Sequence, residues 1–294
     1  MANRKLAPPA PRAPFLAALL LALPAVVRAA PRAGRTELEA GVRLGLTAGP
    51  SAVAVRENDV AGTRRSYGDL GLSTAFSPSL SAARWLDARD ALSVSGRWTF
   101  LRGRAPSGDP FDFNGATIAG GQDLSTSADA WTLSLRWERR LAPRGPAGWD
   151  LRGLAGLDYA HLNFVIDGGH APVAPGSRGT ETKEDFYLQE LPVPVLGLEA
   201  LRRLPSGATL DLRAEGSWIE NWDSLRREGG LVRLSQSQVD LRARLIWNEA
   251  LPGGWRPAFG GFFSLYEQDE VSGEDGNFAR YESYGPELSL LRAF

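Results

Sequence analysis

The chain has 294 residues, with 33 Lys or Arg, 34 Asp or Glu, two His and no Cys. This near-neutral balance excludes a predominantly basic, phosphate-binding surface, and hence nucleic acid as the main partner. Without cysteine there are no disulfides, thiol catalysis or thiolate metal sites, and no cofactor is expected.

In chain order, Arg4 and Lys5 precede an apolar run from Phe15 to Val27, FLAALLLALPAVV. A basic start, a short apolar core and the small-x-small stretch Val27-Arg28-Ala29 predict a secretory signal cut after Ala29. The run is too short to span a bilayer as a helix. The expected organisation is therefore a signal peptide over 1–29 and one β-barrel domain over 30–294. Losing Arg4, Lys5, Arg12 and Arg28 leaves 29 basic residues against 34 acidic ones.

The remainder alternates apolar and polar residues with period two, the signature of strands with one buried and one solvated face. Ten strands are predicted: Thr36 to Thr47, Tyr67 to Ser77, Ala91 to Leu101, Ala130 to Leu141, Trp149 to Ile166, Phe186 to Leu201, Ala208 to Glu220, Ser235 to Trp247, Trp255 to Tyr266 and Tyr281 to Phe294. Pro192 and Pro194 argue against a regular central strand in the sixth segment. Connections alternate between long polar loops, near 48–66, 102–129, 167–185, 221–234 and 267–280, and short turns at 142–148, 202–207 and 248–254. The stretch 78–90 is longer than the other short connections. Trp137, Trp149, Trp247, Trp255 and Phe294 lie by the short turns. Trp98, Phe100, Trp131, Tyr159, Trp218 and Trp222 lie toward the long loops. Two such aromatic belts suit the two interfaces of a bilayer.

The fold class that follows is all-β: a closed antiparallel transmembrane β-barrel of about ten strands, with eight and twelve as neighbouring counts. A soluble β-sandwich with Trp in its core is the competing fold. The last residues carry Tyr284, Leu288, Leu290 and Phe294 on one strand face. This resembles the terminal assembly signal of bacterial outer-membrane β-barrels, which ends in Phe. The resemblance implies an exported outer-membrane protein, with barrel assembly machinery, outer-membrane lipid and lipopolysaccharide as partners and an extracellular ligand left unspecified.

In a barrel the charged face is interior. It carries Glu37, Glu39, Arg43, Arg97, Arg136, Glu138, Arg140, Arg152, Asp158, Asp211, Arg213, Glu215, Asp240, Arg242, Arg244 and Glu287. Mixed charges in so narrow a tube are expected to pair and fill it; a narrow conduit for small polar solutes is the alternative. Among loop residues, His161, His170, Glu220, Asp223, Arg226 and Arg227 are the candidate ligand or chemical groups. Two His without Cys argue against a transition-metal site. The acidic groups Asp109/Asp112, Glu181/Glu184/Asp185 and Asp269/Glu270/Glu274/Asp275 have oxygen donors suited at most to a weak divalent-cation site. Arg64-Arg65 and Arg226-Arg227 suit phosphates of surface glycolipid.

Three stretches, Leu154-Ala-Gly-Leu-Asp-Tyr159, Leu191-Pro-Val-Pro-Val-Leu-Gly-Leu198 and Gly216-Ser-Trp-Ile-Glu-Asn-Trp-Asp223, resemble the omptins, ten-stranded outer-membrane proteases. The similarity spans about 70 residues. It implies the barrel and, in principle, two aspartates facing an Asp/His pair that activates water. Glu220 and Asp223 fall where the Asp/His pair is expected, but no His follows between Ser224 and Gly230. Asp109 and Asp112 are three apart rather than two. Without that His no general base is evident, so a non-enzymatic role is expected, with a mouth-located hydrolase as a further alternative.

Overall fold

The computed structural model describes residues 33–57, 60–142, 148–168, 170–172, 183–186, 192–225, 231–273 and 275–294. The expected signal over 1–29 lies outside the described residues, as do Arg226 and Arg227, Glu181 and Glu274. Ten long strands form the wall: β1 (Thr36–Thr47), β4 (Thr74–Trp85), β5 (Asp90–Pro106), β8 (Asp123–Ala142), β9 (Trp149–Asp167), β12 (Val193–Arg203), β13 (Thr209–Leu225), β14 (Leu231–Ile246), β15 (Arg256–Val271) and β16 (Asp275–Ala293). Each pairs antiparallel with its neighbour, and β16 returns to β1, so the sheet is closed. Closure satisfies every strand edge within the sheet, which a chain without disulfides needs for rigidity and which a wall in lipid requires. The ends are tied as well: Phe294 N–H donates to Thr36 O at 2.9 Å.

Alternation decides the two faces. On β1, Leu44 and Leu46 are exposed and Arg43 is buried. The same parity puts Leu80, Leu133, Leu135, Leu196, Leu198, Phe259 and Leu288 outside. The exposed belts are Trp137, Trp247 and Phe294 near the short turns and Trp98, Phe100, Trp218 and Trp222 toward the long connections, with Trp218 75% exposed. Trp149 is a correction to its expected place in the belt. It is 7% exposed, and the Arg202 guanidinium sits 5.4 Å from its ring centre.

Other strand boundaries differ from the sequence reading. The segment Tyr67 to Ser77 is not one strand. β4 starts at Thr74, while Tyr67, Leu70 and Leu72 are fully buried in a turn. The awkward stretch 78–90 is mostly β4, followed by a tight turn. There the Asp87 carboxylate accepts from the N–H groups of Arg89 (2.6 Å) and Asp90 (2.8 Å). These bonds favour its charged form and lower its pKa. Pro78 lies inside β4, and only the ladder beside it is interrupted: Phe76 pairs Phe100 and Ser79 pairs Arg97. Pro194 likewise lies within β12, opposite Leu157. A proline costs one donor there and leaves the strand in place.

The outer connections are largely structured. β2 (Ala52–Glu57) continues β1 along β16 after a short break, and Ala48 N–H donates to Glu282 O at 2.8 Å. β3 (Arg65–Ser66) pairs with β2. β6 (Phe111–Phe113), β7 (Ala116–Ile118) and β10 (His170–Pro172) form a separate three-stranded sheet, and β11 (Lys183–Phe186) extends β9's outer half.

Candidate functional site

The interior has two layers. The lower one, toward the short turns, is the charged face of the staves. Asp240 accepts from Arg43 at 2.6 Å, Arg97 at 3.0 Å and Ser264 at 3.0 Å. Arg43 Nε donates to Glu287 at 2.6 Å. Arg244 donates to Asp211 at 2.8 Å, to Ser289 at 2.8 Å and to both oxygens of Glu39. Arg136 bridges Asp158 at 2.7 Å and Glu215 at 2.9 Å; Glu215 also takes Arg213 at 2.9 Å. Arg152 donates to Glu199 at 2.9 Å, and Arg140 pairs with Asp150 at 2.7 Å. Apart from Arg213 and Glu215, both on β13, these partners sit on different staves, so the network ties the wall across its middle. Buried charges are tolerated when each has a partner with good geometry, and arginine's planar fork supplies that repeatedly.

The upper layer is apolar, which the sequence reading missed. Tyr67, Leu70 and Leu72 from the first long connection meet Phe111, Phe113 and Ile118 from the second. Both sets pack on inward residues of the staves, among them Leu101, Ala128, Leu162, Phe164 and Ile166. Phe164 lies 5.8 Å from both the Tyr67 and the Phe113 ring centres. The result is a small hydrophobic core inside the outer end of the barrel, a cap made from inward-folded loops. Burial raises the Tyr67 hydroxyl pKa above its ordinary value, with Tyr281 adding to the effect.

Local chemistry explains why these loops fold inward. Phe111-Asp-Phe113 and Ala116-Thr-Ile118 flank Asn114-Gly115, whose φ values are 49° and 71°. Two successive positive φ values make the type I′ turn that Asn-Gly favours. Thr117 Oγ1 donates to the Asp112 carboxylate at 2.7 Å, and Arg65 stacks on Phe111 at 4.4 Å. The Tyr67–Leu72 turn seats against β5 through two glycines. A Cβ on Gly71, at φ +73°, would lie 2.5 Å from Arg104 O; one on Gly103 would lie 2.5 Å from the Gly71 backbone.

The candidate residues do not converge. His161 is on β9, on the outward parity shared with Leu157, and its ring stacks on Trp131 at 5.8 Å between centres. It belongs to the outer wall rather than the mouth. His170 pairs through its backbone with Ile118 in the cap sheet. Glu220 sits at a register shift in β13 and is exposed; Asp223 lies 3.9 Å from Arg233, both two-thirds exposed. β9 and β13 are two staves apart. Asp112 is engaged by Thr117, and Asp109 contributes its backbone carbonyl to Arg65. Among the described residues there is no group of three or more His, Asp or Glu able to hold a metal. Of the assembly-signal residues, Tyr284, Leu288 and Leu290 face outward on β16, and Phe294, just past its end, is exposed as well.

No family model matches this chain, and no curated relative matches it. Its structure is similar to the outer-membrane protease OmpT from Escherichia coli, at 11% identity, covering 88% of this chain and 97% of that one with a TM-score of 0.51. The fold is that of an outer-membrane β-barrel. The translocator domain of the autotransporter NalP from Neisseria meningitidis is a more distant likeness, at 14% identity, 86% and 88% coverage and a TM-score of 0.38. At such identities the likeness concerns architecture alone. The fold agrees with the ten-strand reading and with the architecture that the omptin resemblance implied.

Proposed function

We propose that this protein is a closed, non-conducting barrel of the bacterial outer membrane that displays a rigid cap and long connections at the cell surface in a structural or binding role. The observation that carries the reading is the double obstruction of the interior: paired arginines and carboxylates below, a fully buried apolar cap above. A solute crossing this interior would have to pass the narrow charged layer and then displace the cap and expose its core aromatics, the last step costing several kcal/mol. Exposed aromatic belts around an apolar band support a bilayer location. Lipid and lipopolysaccharide are the partners such a wall would meet, and the outward C-terminal face ending in Phe294 suits recognition by barrel assembly machinery. The scattered positions of His161, His170, Glu220 and Asp223 favour the non-enzymatic reading over the hydrolase.

The test is planar-bilayer recording on the refolded, heat-modifiable barrel. The expected result is silence over several hundred millivolts. Regular ohmic steps from the unmodified protein would refute closure and favour the solute conduit.

A further inference from the structure

We propose that the barrel carries a latent pore: a polar half-channel prebuilt in the lower lumen, barred by one movable arginine and sealed above by the cap. It passes small polar solutes when the cap lifts. This pore rests on the closed-barrel reading and makes closure conditional on the cap. The inward residues of the wall are unequal in reach. β12, β13 and β14 project Glu199, Asp211, Arg213, Arg242 and Arg244 into the lumen. β4, β5 and β8 present mostly short hydroxyls. Ser81 pairs with Ser95 and Ser95 with Ser134, so three serines stand at one level on adjacent staves. One level closer to the cap, Ser79 and Thr132 flank Arg97. None of these six is fully buried, and all line one slot of about 330 Å³. A serine reaches far less than an arginine, so this side of the lumen stays unfilled. The slot runs from Arg35 and Arg292 at the short-turn end to Tyr67 and Leu101 beneath the cap. A roomy polar cavity of this kind holds water rather than staying dry.

Arg97 bars the slot by reaching across the lumen to Asp240 at 3.0 Å. Its side chain is 36% exposed, whereas that of Arg43, on the same carboxylate, is 7% exposed. If Arg97 swings aside, Asp240 keeps Arg43 at 2.6 Å and Ser264 at 3.0 Å. This bar therefore moves without stranding a buried charge, the costly event in an ion-pair network. The seal above is of another kind. The hairpin of β6 and β7 is bonded to the first long connection: Asp112 N–H donates to Thr63 Oγ1 at 3.0 Å, and Asn114 N–H to Val55 O at 3.3 Å. Against the staves it sets Phe111, Phe113 and Ile118. Apolar contact is non-directional, so the hairpin can leave the lumen while the stave ladders stay intact.

Removing the hairpin tests the pore. Pro106 and Asp123 face each other in the β5–β8 ladder, so an Asn-Gly turn in place of residues 107–122 joins the same two staves without it. In planar bilayers the shortened barrel should show resolved conductance steps where the parent is silent. The chain has no cysteine, so Ser95→Cys in the shortened barrel is a unique reporter. A negatively charged methanethiosulfonate should remove most of each step from it and none from the cysteine-free shortened barrel. Arg97→Ser in the shortened barrel should enlarge the step. Phe113→Ala, which keeps every connection, should give brief openings. A shortened barrel that keeps its gel shift before heating yet stays silent would overturn the pore and leave the closed-barrel reading standing. If shortening prevents folding, Phe113→Ala decides: a cap open to protease with silent bilayers overturns the pore. Steps unchanged by modification at residue 95 or by Arg97→Ser come from a path outside the slot and overturn it as well. Steps from the parent would instead overturn closure itself.

Discussion

Phe113→Ala is the sharpest perturbation of the cap. Phe113 is 1% exposed, lies on the inserted hairpin rather than on a stave, and packs 5.8 Å from Phe164. Removing a fully buried phenylalanine ring costs about 3–5 kcal/mol through lost transfer energy and the cavity left behind. The staves keep their ladders, so the cost falls on docking of the cap and not on barrel closure. At about 1.4 kcal/mol per factor of ten, the undocked fraction should rise from roughly 10²-fold to several thousandfold. Limited proteolysis reads this directly: cleavage within 107–122 should accelerate in proportion while the heat-stable gel shift persists. If the variant's loops stay as resistant as the parent's, the apolar core is not what holds the cap. If the gel shift disappears as well, cap and wall form one cooperative unit and their treatment as separate layers is wrong.

The other predictions address different layers. Gly103→Ala should loosen the cap in the same assay, because its Cβ would collide with the Gly71 backbone at 2.5 Å; unchanged protection would mean the turn can shift to accommodate it. Arg43→Met removes the shortest ion pair of buried Glu287, leaving it the longer one to Arg244 at 3.4 Å, and weakens the hold on Asp240; loss of one partner from a buried pair costs up to about 3–5 kcal/mol. The temperature at which the gel shift is lost should therefore fall; an unchanged value would count against the network as a cross-brace. Tyr67 ionises near pH 10.0 when unfolded and higher when buried. Its contribution is present below pH 10 and is lost as pH rises toward the folded value, so cap protection should decline above pH 10 and Tyr67→Phe should remove that part of the decline. On the assembly proposal, Phe294→Ala should lower the yield of inserted barrel in cells, and normal insertion would count against the terminal signal.

Period-two alternation made the wall legible from sequence. Arg43 beside Leu44, or Asp240 beside Leu241, must point to opposite faces in any strand, so the inward charged list matches the interior ion pairs almost residue for residue. That list could not say which arginine meets which acid: Arg43 finds Asp240 across 197 positions of sequence, and only the shear and closure of the barrel set that distance. Proline was over-read at Pro194, because one missing donor removes one ladder bond and not the strand. Of the cap, the local part was readable, since Asn114-Gly115 between two alternating triplets is a hairpin signal in its own right. Its placement was not. Tyr67, Leu70 and Leu72 mimic a strand by periodicity, and what turns them inward is an apolar surface offered by Phe111, Phe113 and Phe164 from elsewhere in the chain. Local alternation is set by the geometry of each residue; whether a loop projects into solvent or folds into the lumen is set by what distant residues leave uncovered there, and that exists only once the barrel has closed.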